Sequence, residues 1–163
     1  MNIPVLQPDK LKNPDFLTEL KTYQADLQVV VAFRMLPELV WNMPPLGTIN
    51  VHASLLPNYR GAAPINWAII NGEKMTGVTT FKLQHEIDTG NILKQSIVNI
   101  SEDETAGTLH DKLMEEGALL LISTINDLLE DKLIEKPQVV LKEYKHAPKI
   151  FTDTCRIQFN QPV

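Results

Sequence analysis

Two polar side chains stand two residues apart in a segment that otherwise has the composition of a buried strand. The segment "TINVHA" carries Asn50 and His52. Alternate residues of a strand project from the same face, so the carboxamide and the imidazole are predicted to point the same way. Both lie where the strand gives way to a loop, and open α/β sheets bind ligands at the carboxyl ends of their strands. An isolated Asn-x-His pair is more often a satisfied buried histidine, so this pair needs support from the surrounding sequence.

That support comes from a second predicted strand, which ends in "HEIDTG" and places Asp88 beside Gly90. An imidazole, a carboxamide and a carboxylate from separate strand ends can converge on one point. A nearby carboxylate favours the charged form of an imidazole, and a carboxamide can donate to a developing oxyanion. This set suits acyl or formyl transfer without a covalent enzyme intermediate. On its own, Asp88 would be interpreted as an ordinary turn residue.

The loop after the first of these strands is more specialised than a plain connection requires. It combines a rigid proline, an aromatic side chain and a cation directly before a glycine. We predict that it is a substrate loop, formed by Ser54, Leu55, Leu56, Pro57, Tyr59, Arg60 and Gly61.

Other chemistries find little support in the sequence. The histidines have no ligand spacing, and no HExxH motif or Cys/His cluster is present, so we predict no metal site. Ser54 has no GxSxG elbow around it, which argues against a serine nucleophile. Cys155 is the single cysteine, so no disulfide framework is expected.

Composition restricts the setting and the partners. With 163 residues and 44% hydrophobic side chains, the chain is large enough for one domain with a core. No apolar run approaches a membrane span, and residues 1–10 lack the regions of a signal peptide. We therefore expect a reduced, cytoplasmic setting and no membrane partner. The net charge of −5 argues against a surface built mainly to hold nucleic acid.

Hydrophobic periodicity predicts alternating helices and strands. Asn13 caps a short helix that begins at Pro14, and a Val-rich run at 26–33 is typical of a strand covered on both faces. Further strands are predicted at 77–84 and 92–100, and a long amphipathic helix at 104–131. Interleaved strands and helices indicate an α/β layered sheet, mostly parallel.

The stretch "NVHASLLPNYRGAAPINWAIINGEKMTGVTTFKLQHEIDTGNIL" resembles the signature of the 10-formyltetrahydrofolate-dependent formyltransferases. Asn-x-His, SLLP-x-x-x-G and Asp-x-Gly elements occur together, and the resemblance runs from "IPVLQPDKL" through "APKIF". It is nearest to the branch that acts on initiator methionyl-tRNA. The resemblance implies a Rossmann-like formyltransferase fold, 10-formyltetrahydrofolate as co-substrate, no metal, and initiator methionyl-tRNA as the partner of the intact enzyme.

The resemblance also implies roles for individual residues. Asn50 and His52 would flank the transferred formyl group, and Asp88 would interact with His52 and order water. The "FRML" stretch is nearer to the glycinamide ribonucleotide branch of the family, and Arg34 either contacts the folate or is a solvated side chain. The residues that would line the pterin pocket, largely through backbone groups, are Phe33, Arg34, Met35, Leu36, His85, Glu86 and Ile87.

Two family segments have no counterpart in this sequence. Family members open with a strand–helix–strand–helix unit, and the tRNA-specific branch ends in a β-barrel domain. We therefore expect an interior fragment, in which residues 1–137 are the carboxyl-terminal part of the catalytic domain. Residues 138–163 would be an irregular extension toward an absent C-terminal domain. We expect weak or no tRNA binding by this chain alone.

Two alternatives to the tRNA-acting enzyme stay open at this point. One is an N-formyltransferase that acts on an amino sugar nucleotide or another small amine, because that branch shares the Asn, His and Asp positions. The other is a folate-binding remnant without catalysis. The tRNA-acting enzyme is the leading interpretation. Acceptor recognition, which would decide between it and the small-amine branch, would lie in the segment that has no counterpart here.

Overall fold

The computed structural model describes residues 3–31, 35–139 and 143–156. Within these ranges the chain forms short and long helices around strands that belong to two sheets. In chain order the elements are α1 (Pro14–Thr22), β1 (Gln28–Val31), α2 (Glu38–Trp41), β2 (Thr48–His52), β3 (Arg60–Gly61), α3 (Pro64–Ile70), β4 (Met75–Lys82), β5 (Ile92–Asn99), α4 (Ala106–Leu129), β6 (His146–Ala147) and a 3-10 helix at Thr152–Cys155.

The main sheet has the strand order β1-β2-β4-β5 within the described residues. β1 and β2 are parallel, whereas β4 runs antiparallel to both β2 and β5. The α/β class is confirmed, but the expectation of mostly parallel strands is corrected, because the sheet is mixed. The reason lies in the connections. The chain between β2 and β4 stays at the carboxyl end of β2, where His52 pairs with Thr79, so β4 has to run back.

The two central strands are buried, and their polar groups are paired. In β4 the hydroxyl Oγ1 of Thr79 donates to Ser54 O at 2.6 Å and accepts from Leu56 N at 3.1 Å. Thr80 Oγ1 lies 2.9 Å from Thr124 Oγ1, inside the sheet–helix interface. Buried hydroxyls are tolerated when they are hydrogen-bonded. These bonds therefore tie the loop after β2 and the helix α4 to the centre of the sheet.

Helix α4 covers one face of the sheet. Thr105 caps it by accepting from Thr108 N at 3.2 Å, close to the start predicted at residue 104. Its buried residues recur every three or four positions, as the predicted amphipathic helix requires. The buried residues of this face are Leu109, Leu113, Gly117, Leu120 and Thr124. No helix among the described residues is long and apolar enough to cross a membrane.

Strand β1 departs from expectation. Val30 is buried, but Val29 and Val31 are 41% and 61% exposed. The prediction that this run is covered on both faces is therefore wrong for the described residues. Val29 and Val31 alternate with Val30, so they share one face of β1, and Val31 on that face lines the cavity described below.

The chain after residue 137 returns to the site end of the sheet. β6 pairs in parallel with β3, with Arg60 opposite His146 and Gly61 opposite Ala147. Trp67 Nε1 in α3 also donates to Pro148 O at 2.8 Å. The division of the chain at residue 137 stays a prediction, and these contacts cross it.

Candidate active site

A cavity of about 980 Å³ opens at the carboxyl end of β2. Its walls come from β2, the segment that contains α2, the start of α3, the connection between β4 and β5, and one side of α4. Asn50, His52 and Asp88 all line it. The structure thus brings the three polar residues together at one edge of the sheet, at the place where ligands bind in open α/β folds.

Asn50, which lines this cavity, carries an unusual polar atom. The residue is 4% exposed, and among the described residues its Oδ1 is buried without a hydrogen-bond partner. Burial of an unpaired acceptor costs roughly 1–3 kcal/mol, so such an atom is typical of a site that receives a donor from a ligand. The carboxamide can accept through Oδ1 and donate through Nδ2 at the same point.

His52 is oriented through both ring nitrogens. Nε2 lies 2.8 Å from Tyr59 O, and because a carbonyl only accepts, Nε2 carries the proton in this contact. Nδ1 faces Asp88 Oδ2 at 3.8 Å, with the two side chains only 8% and 9% exposed. The ring also packs edge-on against Phe81. Nδ1 is therefore the nitrogen left to interact with Asp88 and with a bound molecule.

The Asp88 carboxylate is fixed from the other side by the loop after β2. Its Oδ2 accepts from Gly61 N at 2.9 Å, while Asp88 itself has a positive φ of 54°. At Gly61 φ is +121°, and a Cβ added there would lie 2.5 Å from Ala147 O. Glycine is therefore required at this position by conformation and by space. Asp88 is a turn residue and a site residue at once.

Most of the predicted substrate loop supports the site without lining it. Ser54 is fully buried, and its Oγ donates to Asn58 O at 2.7 Å. Leu56 is buried as well, and of the seven predicted loop residues Gly61 is the one that lines the cavity. The remaining six, Ser54, Leu55, Leu56, Pro57, Tyr59 and Arg60, lie outside its lining. Contact of this loop with a substrate stays a prediction.

Tyr59 is the residue that links the loop to His52. Its carbonyl accepts from His52, and its hydroxyl donates to Glu73 and accepts from Asn71 Nδ2 at 3.0 Å. Burial raises the pKa of the Tyr59 hydroxyl, and the hydrogen bond to Glu73 acts in the same direction. The hydroxyl therefore stays a neutral donor, and it anchors the carbonyl that orients the imidazole.

The predicted pterin pocket overlaps this cavity in part. Its lining includes five of the seven predicted residues: Met35, Leu36, His85, Glu86 and Ile87. Met35 and Ile87 are strongly exposed for apolar side chains, at 73% and 60%. His85 lies edge-on to Trp41, with ring centroids 5.3 Å apart. Phe33 and Arg34 lie outside the described residues. The folate role of all seven stays a prediction.

One supporting residue was missed in the sequence. Gln138 Nε2 donates to Asp88 O at 2.8 Å and to Gly90 O at 2.9 Å. Gln138 is far from both in sequence and lies in no motif, so nothing in the sequence indicated these contacts. The contribution of α4 to the cavity, through Leu113 and Met114, was missed as well.

A metal centre finds no support in the described part of the chain. There, no group of three or more His, Cys, Asp or Glu side chains is close enough to hold an ion. The polar groups at the cavity are instead hydrogen-bond donors and acceptors. Their arrangement can bind a carbonyl oxygen and an amine nitrogen side by side.

Comparison with known proteins defines the class. The family model described as formyl transferase matches residues 1–125, and this chain belongs to the formyl transferase family. Solved structures show the same fold. A sugar N-formyltransferase from Shewanella superimposes with a TM-score of 0.74 at 24% identity, over 94% of this chain and 61% of that one. HypX from Aquifex aeolicus, in complex with tetrahydrofolic acid, superimposes with a TM-score of 0.76 at 24% identity, over 93% of this chain and 26% of that one.

The curated relatives with high sequence identity belong to one kind of formyltransferase. The methionyl-tRNA formyltransferase of Azobacteroides pseudotrichonymphae is 61% identical over 163 residues, which is 98% of this chain and 50% of that protein. The methionyl-tRNA formyltransferase of Bacteroides fragilis is 57% identical over 164 residues, 99% of this chain and 51% of its own length. The chain thus spans about half the length of the curated relatives it matches.

Proposed function

We propose that this chain supplies the catalytic residues of an enzyme that transfers a formyl group from 10-formyltetrahydrofolate to the α-amine of initiator methionyl-tRNA, in support of translation initiation. The observation that carries the proposal is the convergence of Asn50, His52 and Asp88 on one cavity, with the Oδ1 acceptor of Asn50 left without a partner among the described residues. Relatives named methionyl-tRNA formyltransferase support the choice of acceptor.

The reaction is a direct attack of the amine on the formyl carbon. A new bond forms between the amine nitrogen and that carbon, and the bond to N10 of the folate breaks. The amine loses a proton and N10 gains one. The tetrahedral intermediate carries an oxyanion, and preorganised donors at an oxyanion contribute about 100- to 1000-fold each to the rate.

Each of the three residues has a role that its geometry allows. Asn50 Nδ2 and the protonated imidazole of His52 donate to the oxyanion. Asn50 Oδ1, the buried acceptor without a partner among the described residues, accepts from the attacking amine. Asp88, 3.8 Å from His52 Nδ1, stabilises the charged imidazole and takes up the amine proton directly or through water.

The co-substrate part of the proposal rests on the rest of the cavity. HypX, a structural neighbour of the same fold, was solved with tetrahydrofolic acid. In this chain the exposed apolar side chains of Met35 and Ile87 line the same cavity as Asn50. We propose that this region, together with Leu36, His85 and Glu86, holds the pterin ring, as the family resemblance implies.

The test is an acceptor assay on the full-length protein. It supplies 10-formyltetrahydrofolate with initiator methionyl-tRNA, with uncharged tRNA, or with an amino sugar nucleotide. Formyl-methionyl-tRNA should form, and no product should form with the other two. The similarity to sugar N-formyltransferases makes the sugar acceptor the second candidate. Formylation of the sugar alone would overturn the tRNA proposal, and folate binding without any product would identify a non-catalytic remnant.

A further inference from the structure

We propose that Gln138 is a positioning residue for the active site, acting through the Asp88 carboxylate. It lies after α4 and beyond residues 1–125, which the family model matches. Its Nε2 donates to Asp88 O at 2.8 Å and to Gly90 O at 2.9 Å. Its Oε1 accepts from Arg60 through Nε at 3.1 Å and through Nη2. Both donors and both acceptor positions of the carboxamide are therefore in use.

These bonds complete a hydrogen-bond network around the Asp88 carboxylate. Gln138 holds the main chain on both sides of the turn in which Asp88 has a positive φ of 54°. The same carboxamide holds Arg60, and the next residue, Gly61, donates its N–H to Asp88 Oδ2 at 2.9 Å. Gln138 thus holds the main chain of Asp88 directly and its side chain through Arg60 and Gly61.

Gln138 determines where the carboxylate lies relative to His52. Asp88 Oδ2 is 3.8 Å from His52 Nδ1, and a shift of about 1 Å in a catalytic geometry can cost about 100-fold in rate. Without Gln138, the Asp88 side chain keeps its hydrogen bond from Gly61 N, and Thr89 Oγ1 still donates to Glu86 O within the turn. The turn then loses its link to Arg60, and the carboxylate is free to move with the loop.

The chemistry of the carboxamide allows a selective test in the full-length protein. Gln138→Glu keeps an acceptor for Arg60 but replaces the two N–H donors by an oxygen that faces two carbonyls. This proposal rests on the formyl-transfer function above, so we expect a kcat about 10- to 100-fold lower, with KM for methionyl-tRNA little changed.

A matched control separates positioning from general stability. Gln95 Nε2 also donates twice, to Leu56 O and to Thr79 Oγ1, each at 3.0 Å, but Gln95 lies in β5 and does not line the cavity. Gln95→Glu loses as many donors as Gln138→Glu. It should lower the melting temperature and leave kcat at the wild-type value.

A second readout does not depend on activity. Hydrogen exchange of the Gly61 amide reports its bond to Asp88 Oδ2, and it should accelerate in Gln138→Glu but not in Gln95→Glu. A wild-type kcat in Gln138→Glu, or unchanged Gly61 exchange, overturns the proposal. An inactive wild-type protein rejects formyl transfer instead, and the exchange measurement still decides the role of Gln138.

Discussion

At the scale of single residues, the site combines one buried hydrogen-bond acceptor that has no partner among the described residues with two side chains that are held by hydrogen bonds. Asn50 Oδ1 has no hydrogen-bond partner among the described residues, whereas His52 and Asp88 are each held by a main-chain group of the loop after β2. The shared face of Asn50 and His52 followed from strand periodicity. The position of Asp88 did not follow from a strand end, because β4 ends at Lys82 and runs antiparallel to β2, so Asp88 reaches the cavity through the connection between β4 and β5. The groups that hold His52 and Asp88 did not follow either, because Tyr59 O and Gly61 N are backbone groups, and main-chain geometry carries no signature in side-chain type.

Removal of either proposed oxyanion donor should reduce the rate far more than substrate binding. In the full-length protein, Asn50→Ala and His52→Ala should each lower kcat about 100- to 1000-fold, with little change in KM. Steady-state formyl transfer to methionyl-tRNA measures both constants. Asn99→Ala, which removes a carboxamide from an exposed strand end, is the control. A kcat near wild type would exclude the mutated residue from the mechanism.

The charge of Asp88 should matter separately from its shape. Asp88→Asn retains an oxygen that can accept from Gly61 N, but it removes the negative charge 3.8 Å from His52 Nδ1. We expect kcat to fall about 100-fold, the usual size of a proton-transfer contribution, while the melting temperature changes little. Asp127→Asn, which neutralises the carboxylate paired with Lys94 in the sheet–helix region, is the control. Equal kinetic losses in both variants would mean that the charge of Asp88 has no special role.

At the scale of elements, local signals predicted single helices better than the way strands pair. The α4 face formed as the 3.6-residue period required, and Pro14 began α1 behind the Asn13 cap. The direction of β4 was not predictable from local signals, because it depends on the end of the sheet at which the connection from β2 leads into β4. The pairing of β3 with β6 joins residues that are far apart, and two-residue strands carry no periodicity.

The β3–β6 pairing should depend on the glycine at position 61. Gly61→Ala places a Cβ 2.5 Å from Ala147 O at a φ of +121°, whereas Gly72→Ala has a φ of +63° and no atom within 4 Å. Both variants carry backbone strain, which costs of order 1–3 kcal/mol, but Gly61→Ala adds a backbone clash. Denaturant unfolding should show the larger loss for Gly61→Ala. Equal losses would mean that the strands separate without cost.

The Tyr59–Glu73–Lys145 contact should make stability depend on acid. Burial pushes the pKa of Glu73 upward, but hydrogen bonds from Lys145 and Tyr59 outweigh it and hold the pKa below the ordinary 4.5. A depressed pKa stabilises the fold above pH 4.5, and this contribution is lost as the pH falls toward the folded-state pKa. The difference in unfolding free energy between wild type and Glu73→Gln should therefore shrink from pH 7 to pH 3. A difference that is constant over this range would contradict the assignment. Glu115→Gln, on the exposed face of α4, controls for loss of a carboxylate.

At the scale of the whole molecule, the net charge of the chain argues against tight binding of the proposed tRNA acceptor by these residues alone. The chain carries 20 acidic and 15 basic residues, and phosphate contacts by clustered Lys and Arg dominate nucleic-acid affinity. The densest basic stretch is 142–149, and Lys145 there is already paired with Glu73. A surface of this kind is poorly suited to hold an acceptor stem.

This chain alone should therefore bind initiator tRNA weakly or not at all. Filter binding at low salt would compare the affinity of this chain for initiator tRNA with that of the full-length protein, which is expected to bind. Any weak binding by the chain should depend only weakly on salt, because the salt dependence grows with the number of phosphates contacted. Tight, salt-sensitive binding by the chain alone would show that these residues carry tRNA recognition.

The pairing of β3 with β6 has a consequence for how this chain can be recombined with its relatives. Gly61 and Ala147 approach so closely that a side chain at one position meets the backbone of the other, and Arg60 is held by Gln138 across 78 residues. These positions should vary together among relatives. A chimaera that joins two relatives at residue 125, where the family match ends, would take Arg60 and Gly61 from one parent and the residues that contact them from the other. A junction placed after residue 150 keeps each active-site loop with its own partner strand.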